Sequence, residues 1–161
     1  MQMTMSTAST TPEERLQAMG LALPEPPAAV GAYLPWQIVG STVTTSFQLP
    51  WLDGVLIHTG LVGKDLTTLQ GIEAARICAL NGLAQLRQAA GGALRNVRIV
   101  RIDGHVGCSN DFMDIPAVLD GASKLINAVM QEQGRHARTA LGHGVMPLNV
   151  PVMLGFFAEI I

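Results

Sequence analysis

The stretch Asn96-Val-Arg-Ile-Val-Arg-Ile-Asp-Gly-His-Val-Gly-Cys108, NVRIVRIDGHVGC, decides the fold. Its apolar and polar residues alternate and its β-branched content is high, so it predicts a central strand with Arg98 and Arg101 near its margins. A helical pattern lies on each side. Upstream, Thr67-Thr-Leu-Gln70 has the form of a capping box. Leu69, Ile72, Ala75, Ala79, Leu83 and Leu86 then keep helical spacing until Gly91-Gly92 stops it. Downstream, Asp114 is placed to cap a second helix with Pro116 in its first turn. Val118, Ala122, Leu125, Ile126 and Val129 form its inward stripe, and Gly134 ends it.

Further out, residues 36–48 and 55–60 read as a β-hairpin or meander around a Pro50-to-Gly54 turn region. Two last strands are expected at about 137–142 and 150–160. The order ββ(β)αβαββ implies an α+β fold, a mixed sheet with two main helices on one face. Before it, residues 1–10 are small and polar and are expected to fray. Thr11-Pro-Glu-Glu14 starts a short helix that runs to about Met19 and stops at Gly20. Four prolines between residues 24 and 35 then exclude helix. The expected organisation is an N-terminal extension, 1–23, and one domain, 24–161.

A chain of 161 residues suits a single core. Only 14% of residues are charged, little for a monomer's surface, which points to buried subunit faces. A formal charge of −2 offers no broad attraction for nucleic acid or anionic membrane, so anion recognition must be local. Cys78 and Cys108 form no CxxC and have no histidine at metal-ligand spacing, so neither a disulfide framework nor a metal site is expected. No secretory leader pattern and no membrane-length apolar run is read, and a cytoplasmic location is expected.

Several segments in order carry a resemblance: Gly31-Ala-Tyr33, Thr45-Ser-Phe-Gln-Leu-Pro50, the Ala-rich helix with Asn81, Ala137-Arg-Thr139, and Pro147-Leu-Asn-Val150 before a last strand. Together, over about residues 24–160, they resemble the RidA/YjgF family of reactive intermediate deaminases. The N-terminal extension and the GRHAR wording at 134–138 resemble a longer subgroup labelled endoribonucleases. The resemblance implies a chorismate-mutase-like α+β fold, a homotrimer with pockets between subunits, and no cofactor. It also implies hydrolysis of 2-imino acids or their enamine tautomers to 2-keto acids and ammonia.

Carried over residue by residue, the resemblance makes Arg138 the clamp for a substrate carboxylate, a task suited to a guanidinium's fixed donor fork. The plain alternative is a surface or interface ion pair. Arg135 and His136 need no more than the helix end and solvent. Tyr33 corresponds to a tyrosine that closes over the pocket, or else packs beneath the proline-rich turn. Ser46 and Gln48 flank a position that the family gives to glycine and that is Phe47 here, which should make the pocket more apolar. Phe112 and Thr139 complete the expected lining.

The largest departure is at Met153, which falls where family deaminases carry the glutamate that activates water, while Gly155 falls on a second acidic position. Methionine cannot move a proton, and loss of a general base typically costs about 10²- to 10⁴-fold in rate. His143 is the nearby group able to titrate near neutrality, so it is the candidate replacement, against an exposed loop histidine. Glu159 is about 20 Å further along the strand and is a poor substitute. His58 and His105 are expected to be structural, and Cys108 a buried small hydrophobe. These residues suggest a reshaped family member, natural or engineered, acting on an imine, enamine or related carbonyl compound. The alternatives are a non-catalytic trimeric binding protein and, lowest, an endoribonuclease, since no basic stripe or aromatic stacking platform is visible.

Overall fold

The computed structural model describes residues 9–161. The expected fraying of residues 1–10 therefore falls almost entirely outside the described residues. Helix α1 (Pro12–Ala18) begins at Thr11, whose side chain accepts from the Glu14 N–H while the Glu14 carboxylate accepts from the Thr11 N–H. Strands β1 (Trp36–Val39) and β2 (Thr42–Thr45) form one hairpin. Two-residue strands β3 (Trp51–Leu52) and β4 (Val55–Leu56) form a second, separate ladder. The expected meander thus splits: Pro50 lacks an N–H to continue a ladder, and the chain turns out of the main sheet.

Helix α2 (Thr68–Ala89) starts at the capping box of Thr67 and Gln70. Ala75, Ala79, Leu83 and Leu86 are buried as expected, but Leu69 is 76% exposed, on the side of α2 that it shares with the exposed Arg76 and Arg87. Strand β5 (Val97–Gly107) follows, then helix α3 (Ile115–Met130). Asp114 does precede α3, yet its backbone is not in the extended conformation of a capping residue and its side chain makes no cap hydrogen bond. The whole predicted stripe of α3 is buried. A short 3₁₀ turn, Gln131–Gly134, leads to β6 (Ala137–His143), and β7 (Val152–Ile160) closes the chain.

The main sheet runs β1-β2-β7-β5-β6, with β5 and β6 parallel and every other pair antiparallel. This is the expected mixed α+β architecture. Strand periodicity sorts the side chains: Ile102 and Val106 of β5 and Val152, Leu154, Phe156 and Ala158 of β7 are buried in the main core with the helices. Glycine permits the closest approaches in that core. A Cβ on Gly82 of α2 would stand 1.9 Å from the Phe156 ring, and one on Gly121 of α3 would stand 2.5 Å from the Ile72 carbonyl oxygen of α2.

The N-terminal helix shares this core. Leu16 is 1% exposed within it, Arg15 Nε donates to the Val129 carbonyl at 2.6 Å, and Glu13 accepts the Leu94 N–H at 2.9 Å. Asn81 fastens α2 to the second hairpin by donating to the carbonyls of Leu49 and Trp51, at 2.9 and 3.0 Å. Among the described residues, no helix is long and apolar enough to cross a membrane.

Candidate functional site

The alternation that buries Ile102 and Val106 turns Arg101, Asp103 and His105 to the opposite, open face of the sheet. Antiparallel register sets His105 beside Met153 and Asp103 beside Gly155 on β7; parallel register sets His105 beside Leu141 and Asp103 beside Thr139 on β6. His143, two residues beyond Leu141, shares that face.

The His105 and His143 rings meet: Nδ1 of the first and Nε2 of the second are 2.6 Å apart, with ring centroids at 4.9 Å and planes inclined by 27°. One nitrogen must carry the proton and the other must accept it. Phe47 approaches His105 edge-on, with centroids 4.9 Å apart and an interplanar angle of 86°. The same phenyl ring lies over Gly155, where an added Cβ would stand 3.0 Å from Cε1. Phe47 and Gly155 thus complement each other: the bulk added at one position occupies room left open at the other. Phe47 needs no left-handed backbone to do so.

Burial, then the positive charge that His143 would carry, hold His105 below the usual histidine range; the Asp103 carboxylate opposes them. Asp103 is itself tied to Arg101, Nε to Oδ1 at 3.1 Å and Nη2 to Oδ2 at 3.2 Å, and the Arg101 guanidinium carbon stands 4.3 Å over the Phe157 ring.

The remaining site candidates are distributed over three places. Tyr33, Ser46, Phe47 and Gln48 line one cleft with Pro27 and Trp51. There the Tyr33 hydroxyl accepts from the Val30 N–H at 3.3 Å, the Ser46 hydroxyl donates to the Leu34 carbonyl at 2.6 Å, and Gln48 Nε2 donates to the Ser46 carbonyl at 3.0 Å. These contacts brace the cleft wall. Gln48 is buried, with Gln85 Nε2 donating to its Oε1 at 3.4 Å. Phe112 packs beside Gly63 at the loop after β5.

Arg138 occupies the face opposite the histidines. Its partner in register is the buried Ile102, and its side chain runs to α3, where Nη1 donates to Asp120 Oδ1 at 2.8 Å and to Ser123 Oγ at 3.1 Å. Within one chain, Arg138 therefore does not meet Met153, His143 or Phe47. Phe47, His143, Thr139 and Met153 do share one face, with Phe47 linking that face to the Tyr33 cleft. His105, expected from the sequence to be structural, stands on this open face against His143 and Phe47. Its signal was parity: it shares the phase of Arg101 and Asp103, opposite to Ile102 and Val106. His58 lies elsewhere, with its Nε2 at 2.6 Å from the Glu73 carboxylate. Burial pushes the Cys78 thiol up, which disfavours its thiolate.

Comparison with known proteins places this geometry. Residues 13–160 match the family model described as "YjgF/chorismate mutase-like, putative endoribonuclease". Protein TCP17 of Trypanosoma cruzi is 36% identical over 146 residues, covering 90% of this chain and 91% of that protein. The crystal structure of a protein described as a "putative endoribonuclease" from Shewanella oneidensis is 44% identical with a TM-score of 0.90, over 94% of this chain and 100% of that one. Escherichia coli TdcF, solved with bound serine, shares the fold at 20% identity and a TM-score of 0.62, over 84% of this chain and 93% of that one. The family match begins inside α1 and ends on the last residue of β7, so it spans the whole described core. The chain belongs to the YjgF/chorismate-mutase-like family.

Proposed function

We propose that this chain is a homotrimeric small-molecule enzyme of the RidA type, needing no cofactor, that acts on an imine, enamine or related carbonyl compound with an apolar or aromatic body. The observation that carries the reading is the register pair His105–Met153, with His105 hydrogen-bonded to His143. Met153 supplies no proton, but titratable nitrogens lie directly across from it, and Phe47 adds an aromatic wall. Within the family, serine bound to the same fold in TdcF supports a small polar-headed ligand.

In this reading Arg138 holds the substrate carboxylate in a cleft that a neighbouring subunit completes, exchanging Asp120 for substrate. Tyr33 closes the cleft, with Ser46, Gln48, Phe112 and Thr139 as lining. Arginine suits that exchange because its fork serves two carboxylates alike.

The test generates 2-iminobutyrate and an aromatic 2-imino acid in situ and follows their loss with the parent chain, Arg138→Ala and Met153→Glu. Arg138→Ala should lose about 10-fold or more of kcat/KM, and Met153→Glu should gain on the small imine as a carboxylate base is restored, within the roughly 10²- to 10⁴-fold that such a base supplies. No loss in the first variant together with no gain in the second sinks the reading. Ligand retention without turnover in all three chains would leave the non-catalytic trimeric binder as the better description. A monomer in sedimentation or scattering would remove the shared cleft.

A further inference from the structure

The His105–His143 contact has a property that neither histidine has alone. In the neutral pair one ring donates its inner N–H to the other ring, so the outer nitrogens are never alike. If His105 Nδ1–H donates, then His105 Nε2 carries a lone pair and His143 Nδ1 carries a proton; if His143 Nε2–H donates, the roles reverse. Among the described residues, neither outer nitrogen makes a hydrogen bond to another group, and neither is a buried atom lacking a partner. The pair therefore presents a base and an acid to the open face at once, whatever its tautomer.

From this geometry we infer that the His105–His143 pair is a bifunctional proton-transfer site that catalyses 1,3-proton shifts, keto–enol or imine–enamine, in carbonyl or imine compounds whose apolar body rests on Phe47 and Met153. For a ketone, the outer nitrogen with the lone pair takes a proton from the carbon next to the carbonyl. The released C–H electron pair becomes the C=C bond, and the carbonyl oxygen takes the proton from the outer N–H of the other ring. The inner proton moves across the 2.6 Å His–His contact, and the pair ends neutral in its opposite tautomer. Nothing is consumed, and the reverse shift resets the pair.

The surroundings fit this chemistry. The charged groups on this face near the pair are Asp103 and Arg101 of β5, which neutralise each other; β7 contributes Met153 and Gly155, β6 contributes Thr139 and Leu141, and the segment before β3 contributes Phe47. No fixed net charge favours the doubly protonated pair, whose inner contact would be N–H against N–H. The shift requires neither hydrolysis nor Arg138, so it stands or falls separately from the function proposed above.

The experiment uses the full chain and 4-phenyl-2-oxobutanoate in D₂O, following deuterium incorporation at C3 by proton NMR. Rates are compared with buffer containing free imidazole at equal concentration, and with His105→Gln and His143→Gln. The parent should exceed the imidazole control, with each variant at least about 10-fold slower, within the range ascribed to a single acid–base group. Parent exchange no faster than the control overturns the inference, as does a folded variant that keeps the parent rate.

Should a glutamine variant fail to fold, side-chain ¹⁵N NMR of the parent decides. A proton-sharing pair titrates in two separated steps with tautomer populations that change together, whereas two independent single-step titrations overturn it. Imine hydrolysis is assayed in the same samples. Hydrolysis retained with no C3 exchange refutes this inference and leaves the proposed function standing; exchange retained with no hydrolysis does the reverse.

Discussion

On the helix-covered face of the sheet Phe156 lies over Gly82, and on the open face Phe47 lies over Gly155. The two pairs use the same device, a ring seated where a side chain is missing, in different surroundings. Phe156 is fully buried, and an added Cβ on Gly82 would come within 1.9 Å of its ring. Phe47 is 39% exposed, and a Cβ on Gly155 would come only within 3.0 Å. The first pair is closed on every side by helix and strand. The second has solvent on one side, so its ring can give way. Stability is thus concentrated on one face, and tolerance, with titratable chemistry, on the other.

The largest effect that should separate them is truncation of the two rings. Phe156→Ala removes a buried ring from the centre of the core and should cost about 3–5 kcal/mol, read from denaturant midpoints. Phe47→Ala should cost about 1 kcal/mol or less, because a part-exposed ring forfeits less transfer energy and leaves an open groove rather than a cavity. Equal costs at the two positions would mean that the open face is as tightly closed as the core, by subunit contacts for instance.

A finer probe enlarges the glycines. Gly82→Ala should cost about 2–3 kcal/mol, since backbone and ring are confined together. Gly155→Leu should cost about 1 kcal/mol in the parent and much less in the Phe47→Ala background, a coupling in the range seen for residues in contact. A double-mutant cycle measures that coupling. Additive effects at 47 and 155 would show that the two positions do not compensate for each other.

These contrasts explain what could be read from the sequence. Both main helices, the capped start of α2, and the strands β5, β6 and β7 follow from periodicity and capping, which are local, whereas α3 starts without a cap hydrogen bond from Asp114 and stops at Met130, a 3₁₀ turn carrying the chain on to the expected stop at Gly134. The separate β3–β4 ladder was less legible, because leaving the main sheet at Pro50 is a tertiary choice. Leu69 fits the helical spacing but lies where α2 has no neighbour to cover it. Motif order pointed to Phe47, Met153 and His143; strand parity turns Met153 and His143 to one face, and Phe47 reaches that face through its contacts with His105 and Gly155. Motif order could not supply the contact between His105 and His143, whose positions are 38 residues apart and which meet only because β5 and β6 pair in parallel. Nor could it supply the assignment of Arg138 to the α3 side, where Asp120 and Ser123 receive it.

The smallest expected effect concerns acid, and it too should belong to the open face. His105 has its folded-state value lowered, chiefly by burial and then by His143, so in the interval between that value and the unfolded value of about 6.5 the unfolded chain binds more protons than the native one. Stability must rise with pH across that interval. His105's contribution is therefore fully present above about pH 6.5 and is lost as pH falls through the folded value.

Asp103 works against the shift and Arg101 neutralises Asp103, so removing the arginine should leave a freer carboxylate beside the ring, raise the His105 value and flatten the pH dependence. Thermal midpoints of the parent, His105→Gln and Arg101→Gln between pH 5 and 8 check the sign. The parent should lose midpoint toward pH 5 more steeply than His105→Gln, with Arg101→Gln between them. If the parent and His105→Gln have parallel profiles, the proton responsible for any acid lability lies elsewhere, and the open face would differ from the helix-covered face in packing alone.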